Sequence, residues 1–341
     1  MDNKEIYSKR YTSSDKKALV SYIAKAYPSR KDLDSFVDFT LSYMPSGGEE
    51  MSLLIYKGQE IIGANMFLRT KARIGSEEQD IVWSYDTKVL DDYRQTDAGT
   101  LICGELFSIK NIFGAGLSQI SIELQRRMRS KFIAKSVAFI RFNRYVPRYI
   151  LAPFFPSARK PFVGDSSYPP EIKTRWGKFR RLEKAGDLRF PQGGYWNDGL
   201  IEFDRSAGFM DWRFFTLKDK YQVYALRLKE EAGSGYDIYF ACRQYDSFKG
   251  IPLLYVVDYR FAIGDEEGQK AIIKASLSLS RQMGFAGIYI RSSIPVFSKL
   301  LKRNAFWEKK GGADIVTRFK PATQREYMVF HTSADSDMDF K

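Results

Sequence analysis

Three strand-patterned runs before residue 91 constrain this chain more than any other feature. Met51 to Tyr56 and Ile61 to Leu68 read as the arms of a hairpin around Lys57-Gly58-Gln59-Glu60, and Asp80 to Leu90 is a third run rich in Ile, Val, Trp and Tyr. Strands joined this closely pair antiparallel, so the sheet begins as a meander. The pattern then changes to a helix from about Ala98 to Ile109, a strand near Asn111 to Ala115, a helix from Ser118 to about Met128 and a strand from Ser136 to Arg141. A βαβ pattern joined to an antiparallel start predicts an α/β (α+β) mixed, mostly antiparallel sheet flanked by helices. Upstream, Thr12-Ser13-Ser14-Asp15 supplies caps for a helix that runs through about Tyr27 and stops at Pro28; Asp32 or Asp34 starts another that reaches about Tyr43.

The same order recurs from Asp211 onward. Tyr221 to Leu228, Tyr236 to Gln244 and Ile251 to Phe261 read as strands, followed by a helix from about Gly268 to Met283, a strand from Ala286 to Arg291, a short helix from Val296 to about Asn304 and a closing strand from Ile315 to Phe319. The spacing predicts two domains, residues 1–141 and 206–341, in keeping with the 341-residue length. Residues 142–205 read as a connector. Half of the 12 prolines (Pro147, Pro153, Pro156, Pro161, Pro169 and Pro170) fall within 24 residues of it, followed by a basic piece, Thr174 to Lys184, that reads as a helix.

Charge narrows the partners. The net charge is +13, and the stretch from Arg126 to Arg189 holds 17 Lys and Arg against four Asp and Glu, which accounts for the whole excess. One basic segment implies a local anionic ligand or a solvated face, whereas an evenly basic chain would imply a general polyanion binder. Arg141-Phe142-Asn143-Arg144-Tyr145 and Arg175-Trp176-Gly177-Lys178-Phe179-Arg180-Arg181 interleave cations with aromatics, a composition able to grip phosphates and stack bases. A cofactor's phosphates, a nucleotide-activated sugar, an acidic lipid surface and tRNA all fit, with RNA not favoured. The apolar runs, such as Ile251 to Val257, are far shorter than the roughly 20 residues of a membrane span, and Met1-Asp2-Asn3-Lys4-Glu5 opens no secretory signal, so the expected location is the cytoplasm. Two distant cysteines, Cys103 and Cys242, and a single histidine, His331, argue against zinc-finger and His-rich metal sites.

The segment Lys88-Val89-Leu90-Asp91-Asp92-Tyr93-Arg94-Gln95-Thr96-Asp97-Ala98-Gly99-Thr100-Leu101 follows a strand and opens a helix. A turn in that place presents unpaired backbone N–H groups at the positive end of the helix dipole, which suits a pyrophosphate. These residues resemble the diphosphate loop of the GNAT acyltransferase superfamily, V-x-P-x-Y-R-G-x-G-x-G-[SA]. Val89, Tyr93, Arg94, Gly99 and Thr100 match in register, while Asp91 replaces the proline, Gln95 the first loop glycine and Asp97 the central one. Asn111 to Ser118 with Lys131-Phe132, and in the second half Gly284 to Ile290 with Lys302-Arg303-Asn304-Ala305-Phe306, look like further elements of the same family. The resemblance therefore implies two tandem GNAT-like domains. In the second, Ile263 to Gln269 holds the loop position without the Arg-x-x-Gly-x-Gly run.

The resemblance implies an acyltransferase that moves acetyl from acetyl-CoA to an amine of a small molecule or sugar. Val89, Leu90, Arg94, Gln95, Thr96, Asp97, Ala98, Gly99 and Thr100 would hold the cofactor, and a backbone N–H near Val89 and Leu90 would bind the acyl carbonyl. Tyr85 and Asp86, expected on opposite faces of their strand, are the candidates for acid and base work. A more distant similarity, to FemABX-type transferases, offers an aminoacyl-tRNA-dependent peptidyl transferase as the alternative, and a non-catalytic polyanion-binding module is the third reading. Cys103 is expected as a small buried apolar residue. His331 sits in a polar tail whose Asp335, Asp337 and Asp339 lack the Gly and Glu spacing of a calcium loop, so no metal is expected. Asp211-Trp212-Arg213-Phe214 resembles the opening of second domains in such proteins and reads as an aromatic anchor with a stacked Arg.

Overall fold

The structure, a computed structural model, describes residues 5–30, 32–42, 52–143, 168–189, 199–217, 220–228, 236–246, 251–318 and 327–335. In chain order the elements are β1 (Ile6–Arg10), α1 (Lys16–Ala26), α2 (Leu33–Ser42), β2 (Leu53–Lys57), β3 (Glu60–Ile74), β4 (Glu77–Val89), α3 (Ala98–Ser108), β5 (Ile112–Ala115), α4 (Gln119–Arg127) and β6 (Lys131–Phe142). Then come β7 (Glu171–Thr174), β8 (Gly177–Arg181), β9 (Leu200–Phe203), α5 (Ala207–Met210), β10 (Gln222–Leu228), β11 (Tyr236–Asp246) and β12 (Pro252–Arg260). The last are α6 (Glu266–Gln282), β13 (Gly287–Ser292), α7 (Pro295–Arg303), β14 (Trp307–Glu308), β15 (Ala313–Thr317) and β16 (Met328–Phe330). The chain forms two compact units: of the described residues, 5–134 and 313–318 belong to the first, and 135–312 and 327–335 to the second.

In the first unit β1, β2, β3 and β4 pair antiparallel in that order, β5 joins β4 parallel, and β15 closes the row antiparallel to β5. Helices cover both faces. Leu19, Tyr22, Ile23 and Ala26 recur at helical spacing along α1 and pack with Leu54, Tyr56, Ala64 and Met66 of the sheet. On the opposite face Ala98, Ile102 and Leu106 of α3 pack with Leu53, Ile55, Ile62 and Phe67. β2 therefore reads as an unbroken apolar run, because alternate side chains meet different helices. At the start of α1, the Asp15 carboxylate accepts from the Thr12 amide at 2.8 Å and from the Tyr56 hydroxyl at 2.9 Å.

The second unit shows the same succession of pairings. β10, β11 and β12 are antiparallel, β13 joins β12 parallel, and β6 closes the row antiparallel to β13. The hairpin of β7 and β8 extends the row beyond β10, and β9 pairs parallel with β16. Helix α6 buries Ala271, Ile272, Ala275 and Leu279 in the large core of this unit.

Two expectations from sequence are corrected here. Thr174 to Lys184 is no helix: it forms the turn and second arm of the β7–β8 hairpin, with Ile172 and Phe179 paired across it and fully buried. Gly177, at φ 133°, makes the turn that any other residue would strain, and the Thr174 hydroxyl closes it by donating to the Gly177 carbonyl at 2.9 Å. Of the proline-rich stretch, residues 144–167 and 190–198 lie outside the described residues, with Arg144, Tyr145 and four of the six prolines among them.

The second correction concerns the C-terminal segment. His331, Thr332, Ser333 and Asp335 do not form a solvated tail; all four are buried. Asp337 and Asp339 lie outside the described residues. Thr332 donates to Asp258 Oδ1 at 2.7 Å, and Asp335 lies 2.6 Å from Arg205. Asp258 also accepts from Arg205 through both oxygens at 2.8 and 2.9 Å, from Tyr239 at 2.8 Å and from Arg260 at 3.0 Å. Glu202 completes the group, 2.6 Å from Arg260 Nε but poorly aligned for a hydrogen bond. Two arginines thus face three carboxylates with no water access, which satisfies the rule that buried charges come paired.

The members of this network respond to pH in opposite directions. Burial pushes Glu202 up from 4.5 to about 7 against the pull of Arg260 and Arg205, and pushes His331 down from 6.5 to about 4. Since its folded value is the higher one, protonated Glu202 favours the fold. Its contribution is complete below about pH 4.5 and is lost as pH rises through about 7. Relative to Glu202→Gln, the native chain is expected to lose on the order of 3 kcal/mol of second-unit stability across that window. Urea midpoints of both proteins at several pH values check this. The His331 contribution, lost as pH falls from 6.5 through about 4, cancels in the comparison.

Candidate functional site

In the first unit a bulge re-aims the end of β4. Tyr85 lies opposite Met66 and Lys88 opposite Ala64, so Asp86 and Thr87 together face the single residue Asn65. Asp86 takes φ 48°, the left-handed region that Asp tolerates better than most residues. Its carboxylate accepts two hydrogen bonds from Arg30, at 2.5 and 2.7 Å, and each side chain of the pair is only 5% exposed. The Arg30 guanidinium lies 4.3 Å from the ring centre of Tyr27 and 4.6 Å from that of Phe36, in the cluster beneath α1 and α2 where Tyr85 also packs. The bulge thus breaks the strict alternation expected of Tyr85 and Asp86, and both face the α1–α2 side. Asp86 is committed to Arg30.

Beyond the bulge the two central strands part. β5 pairs with β4 only across Val82, Trp83 and Ser84. The Leu90 amide donates to the Ile62 carbonyl at 2.8 Å, so it is spent on β3 and is not a donor for an acyl oxygen. Amides alternate between the two edges of a strand. The Val89 amide therefore faces the edge where β5 has diverged.

The loop that follows closes into α3. Thr96 accepts from the Ala98 amide at 3.4 Å and donates to the Tyr93 carbonyl at 2.7 Å, and Leu101 N–H starts the helix on the Asp97 carbonyl. Among the described residues, the amides of Gln95, Asp97, Gly99 and Thr100 find no protein acceptor. Four unpaired N–H groups at one helix start can receive an anion, and nothing outside the neighbouring backbone stands within 4 Å of where a Cβ on the half-buried Gly99 would lie, which leaves room for close approach. Asp97 occupies the cap position, exposed, and its carboxylate caps nothing. Arg94 is exposed and held 2.7 Å from Asp91. Ala98 is buried, and Val89 and Leu90 pack toward opposite faces of the sheet.

The structure brings Val89 and the residues from Arg94 to Thr100 to one end of β4, with Tyr85 and Asp86 on the α1–α2 face beside them. Arg30 was not singled out by sequence; its only signal is a cation two residues past the Pro28 helix stop. Cys103 is half-buried and its thiol is pushed up by burial. In the second unit Arg213 is buried between Phe214 and Tyr221, 5.7 and 5.3 Å from their ring centres, and donates to the Ala334 carbonyl at 3.2 Å. Among the described residues no cluster of His, Cys, Asp and Glu could hold a metal ion, and no helix is long and apolar enough to cross a membrane.

No family model matches the sequence, and no curated protein does. Solved structures do match. An Enterococcus faecalis protein described as a probable N-acyltransferase aligns over 92% of this chain and 73% of its own, with a TM-score of 0.60 at 10% identity. A GCN5-related N-acetyltransferase from Anabaena variabilis gives 0.59 at 11% identity over 92% and 73%. Saccharomyces cerevisiae N-myristoyltransferase, solved with bound myristoyl-CoA, gives 0.56 at 11% identity over 94% of this chain and 83% of its own. The chain has the GCN5-related N-acetyltransferase fold.

Proposed function

We propose that this protein is an acyl-CoA-dependent acyltransferase whose donor site lies in the first unit. The observation that carries the reading is the coincidence, at one end of β4, of three features: the parting of β4 from β5, the Val89 amide turned into that gap, and the four unpaired amides at the start of α3. An acyl-CoA laid there would place its diphosphate on the amides of Gln95 to Thr100, with Arg94 free to leave Asp91 for a phosphate. Its thioester would enter the gap. The Val89 N–H would then donate to the carbonyl oxygen as it becomes an oxyanion, the interaction that lowers the barrier to tetrahedral addition. Of the two candidate groups for proton transfer, Asp86 is held by Arg30 and Tyr85 is the one proposed. Its hydroxyl would donate its proton to the CoA thiolate as the C–S bond breaks, while the proton released by the attacking amine passes through water and restores the hydroxyl. Acetyl is the acyl group proposed, and an amine of a small molecule or sugar the acceptor; residues 1–141 supply the donor site in this reading.

Acetyl-CoA is expected to raise the melting temperature, by an increment that grows with the logarithm of its concentration. Gly99→Val should fold normally, since nothing stands near the added side chain, yet weaken acetyl-CoA at least tenfold by blocking the backbone's approach to the diphosphate. Asp97→Asn should tighten it several-fold by removing a carboxylate from an anion cradle. Calorimetric titration of the three proteins decides the matter. Equal affinities would place the donor elsewhere, and no binding by any of them would refute the reading.

A further inference from the structure

The basic residues counted in the sequence have a focus that sequence order conceals. In the second unit a cavity of about 430 Å³ opens between the β7–β8 hairpin and α6, lined by Lys173, Thr174, Arg175, Trp176, Lys270, Lys274 and Asn304. Four of these are cations, drawn from a hairpin and a helix nearly a hundred residues apart. Glu267 and Glu266 offset part of the charge. Lys270 lies 2.7 Å from Glu267 and 3.0 Å from Glu266, and Arg175 lies 3.2 Å from Glu267. Lys173 and Lys274 make no ion pair among the described residues. Four cations against two carboxylates leave two positive charges, the complement of one phosphate monoester dianion.

The cationic face continues along α6. Lys270, Lys274 and Arg281 fall on one side of the helix, spread over about 16 Å. The charge of Arg281 reaches Arg141, whose guanidinium donates to the Asn304 carbonyl at 2.6 Å at the cavity wall. Burial and the Arg281 charge together hold Arg141 below the usual arginine range. Among the described residues neither arginine has a carboxylate within ion-pair distance, and like charges gathered in this way are unfavourable until an anion joins them.

The aromatic at the cavity decides which anion. Single-stranded nucleic acids are held by aromatic faces on which bases stack. Here the Trp176 ring is already covered by the Arg175 guanidinium, 4.2 Å from the ring centre. Its N–H is spent on Glu267 at 2.7 Å, and its body packs against the core of the unit. No open platform is left for a base. The size of the cavity falls within the range of small-molecule pockets.

We propose that this cavity binds a small phosphorylated molecule, its phosphate held by Lys173, Lys270 and Lys274 with Arg175 at the rim. The site is independent of the acyl-CoA reading, because every residue in it belongs to the second unit. Ribose 5-phosphate serves as the probe, titrated calorimetrically into the full chain, with ribose in sodium chloride of matched ionic strength as the control. Lys173→Glu/Lys274→Glu should melt within about 2 °C of the native chain, since both side chains are exposed, and should bind ribose 5-phosphate at least tenfold more weakly. Lys173→Gln/Lys274→Gln provides the same comparison should charge reversal perturb the fold. Gly99→Val should bind the probe as the native chain does, whatever becomes of acetyl-CoA. Unchanged affinity in both lysine variants would overturn the proposal, as would tighter binding of poly(U) than of ribose 5-phosphate at about 0.15 M salt, which would assign the face to RNA.

Discussion

Asp258→Ala is expected to cost the second unit about 3 to 5 kcal/mol, the range measured when one partner of a buried ion pair is removed. The carboxylate accepts from Arg205, Arg260, Tyr239 and Thr332 at once, with no exposed surface, so its loss leaves Arg205 with Asp335 alone and Arg260 with Glu202 alone as carboxylate partners and takes an acceptor from two hydroxyls together. Desolvation alone would raise the Asp258 pKa; the adjacent arginines outweigh it and hold the group well below the ordinary carboxylate range. That contribution is present above about pH 4 and is lost as pH falls further, as for any carboxylate depressed by folding. The observable is a urea or thermal transition of the second unit, followed beside that of the first. Asp258→Asn should cost less, because the amide keeps one acceptor oxygen. A loss under about 1 kcal/mol in Asp258→Ala would mean that apolar packing, and not this network, holds residues 331–335 in place.

Arg30→Ala is expected to cost the first unit about 3 kcal/mol, for a different reason. Asp86 stays behind, shielded from water and already held at φ 48° by its place in the bulge. Asp86→Gly removes the backbone constraint while leaving Arg30 without its acceptor. If orphaned charge is the main cost, Arg30→Ala/Asp86→Gly should be more stable than the sum of the single changes by about 1.5 kcal/mol or more. Additive losses would show that the pair contributes little and that the bulge is fixed by the β3 register. Acetyl-CoA affinity measured on the same variants tests whether the bulge also aims the Val89 amide, which lies three residues downstream.

What could be read from the sequence was local. Helix α1 announces itself through Leu19, Tyr22, Ile23 and Ala26 and the polar run Thr12 to Asp15 before it, and the turn into α3 through Tyr93, Arg94 and Gly99; in each, the forming residues are neighbours in the chain. Thr174 to Lys184 misleads because its cations suit a helix, while the pairing of Ile172 with Phe179 that makes it a hairpin spans a turn marked only by Gly177. Residues 331–335 look solvated by composition. Their partners, Arg205 and Asp258, stand more than seventy positions upstream. The same distance hides the phosphate cavity: the charge excess between Arg126 and Arg189 supplies only Lys173 and Arg175, and α6 supplies the rest. Asp86 could be named as a candidate from its strand, but only the position of Arg30 reveals that it is already engaged.

The placement of β15 bears on how the protein is made. This strand, at residues 313–317, pairs with β5 of a unit whose described residues, 313–318 aside, all precede position 135. During synthesis at roughly 5 to 20 residues per second, some 10 to 40 s separate the emergence of α4 from that of the strand that completes its sheet. For that interval β5 presents an unpaired edge on the ribosome, the kind of surface that recruits holdase chaperones or pairs with the wrong strand. Ribosome-bound chains stalled before residue 313 should therefore be more protease-sensitive around β5 than chains stalled after the whole of β15 has cleared the exit tunnel.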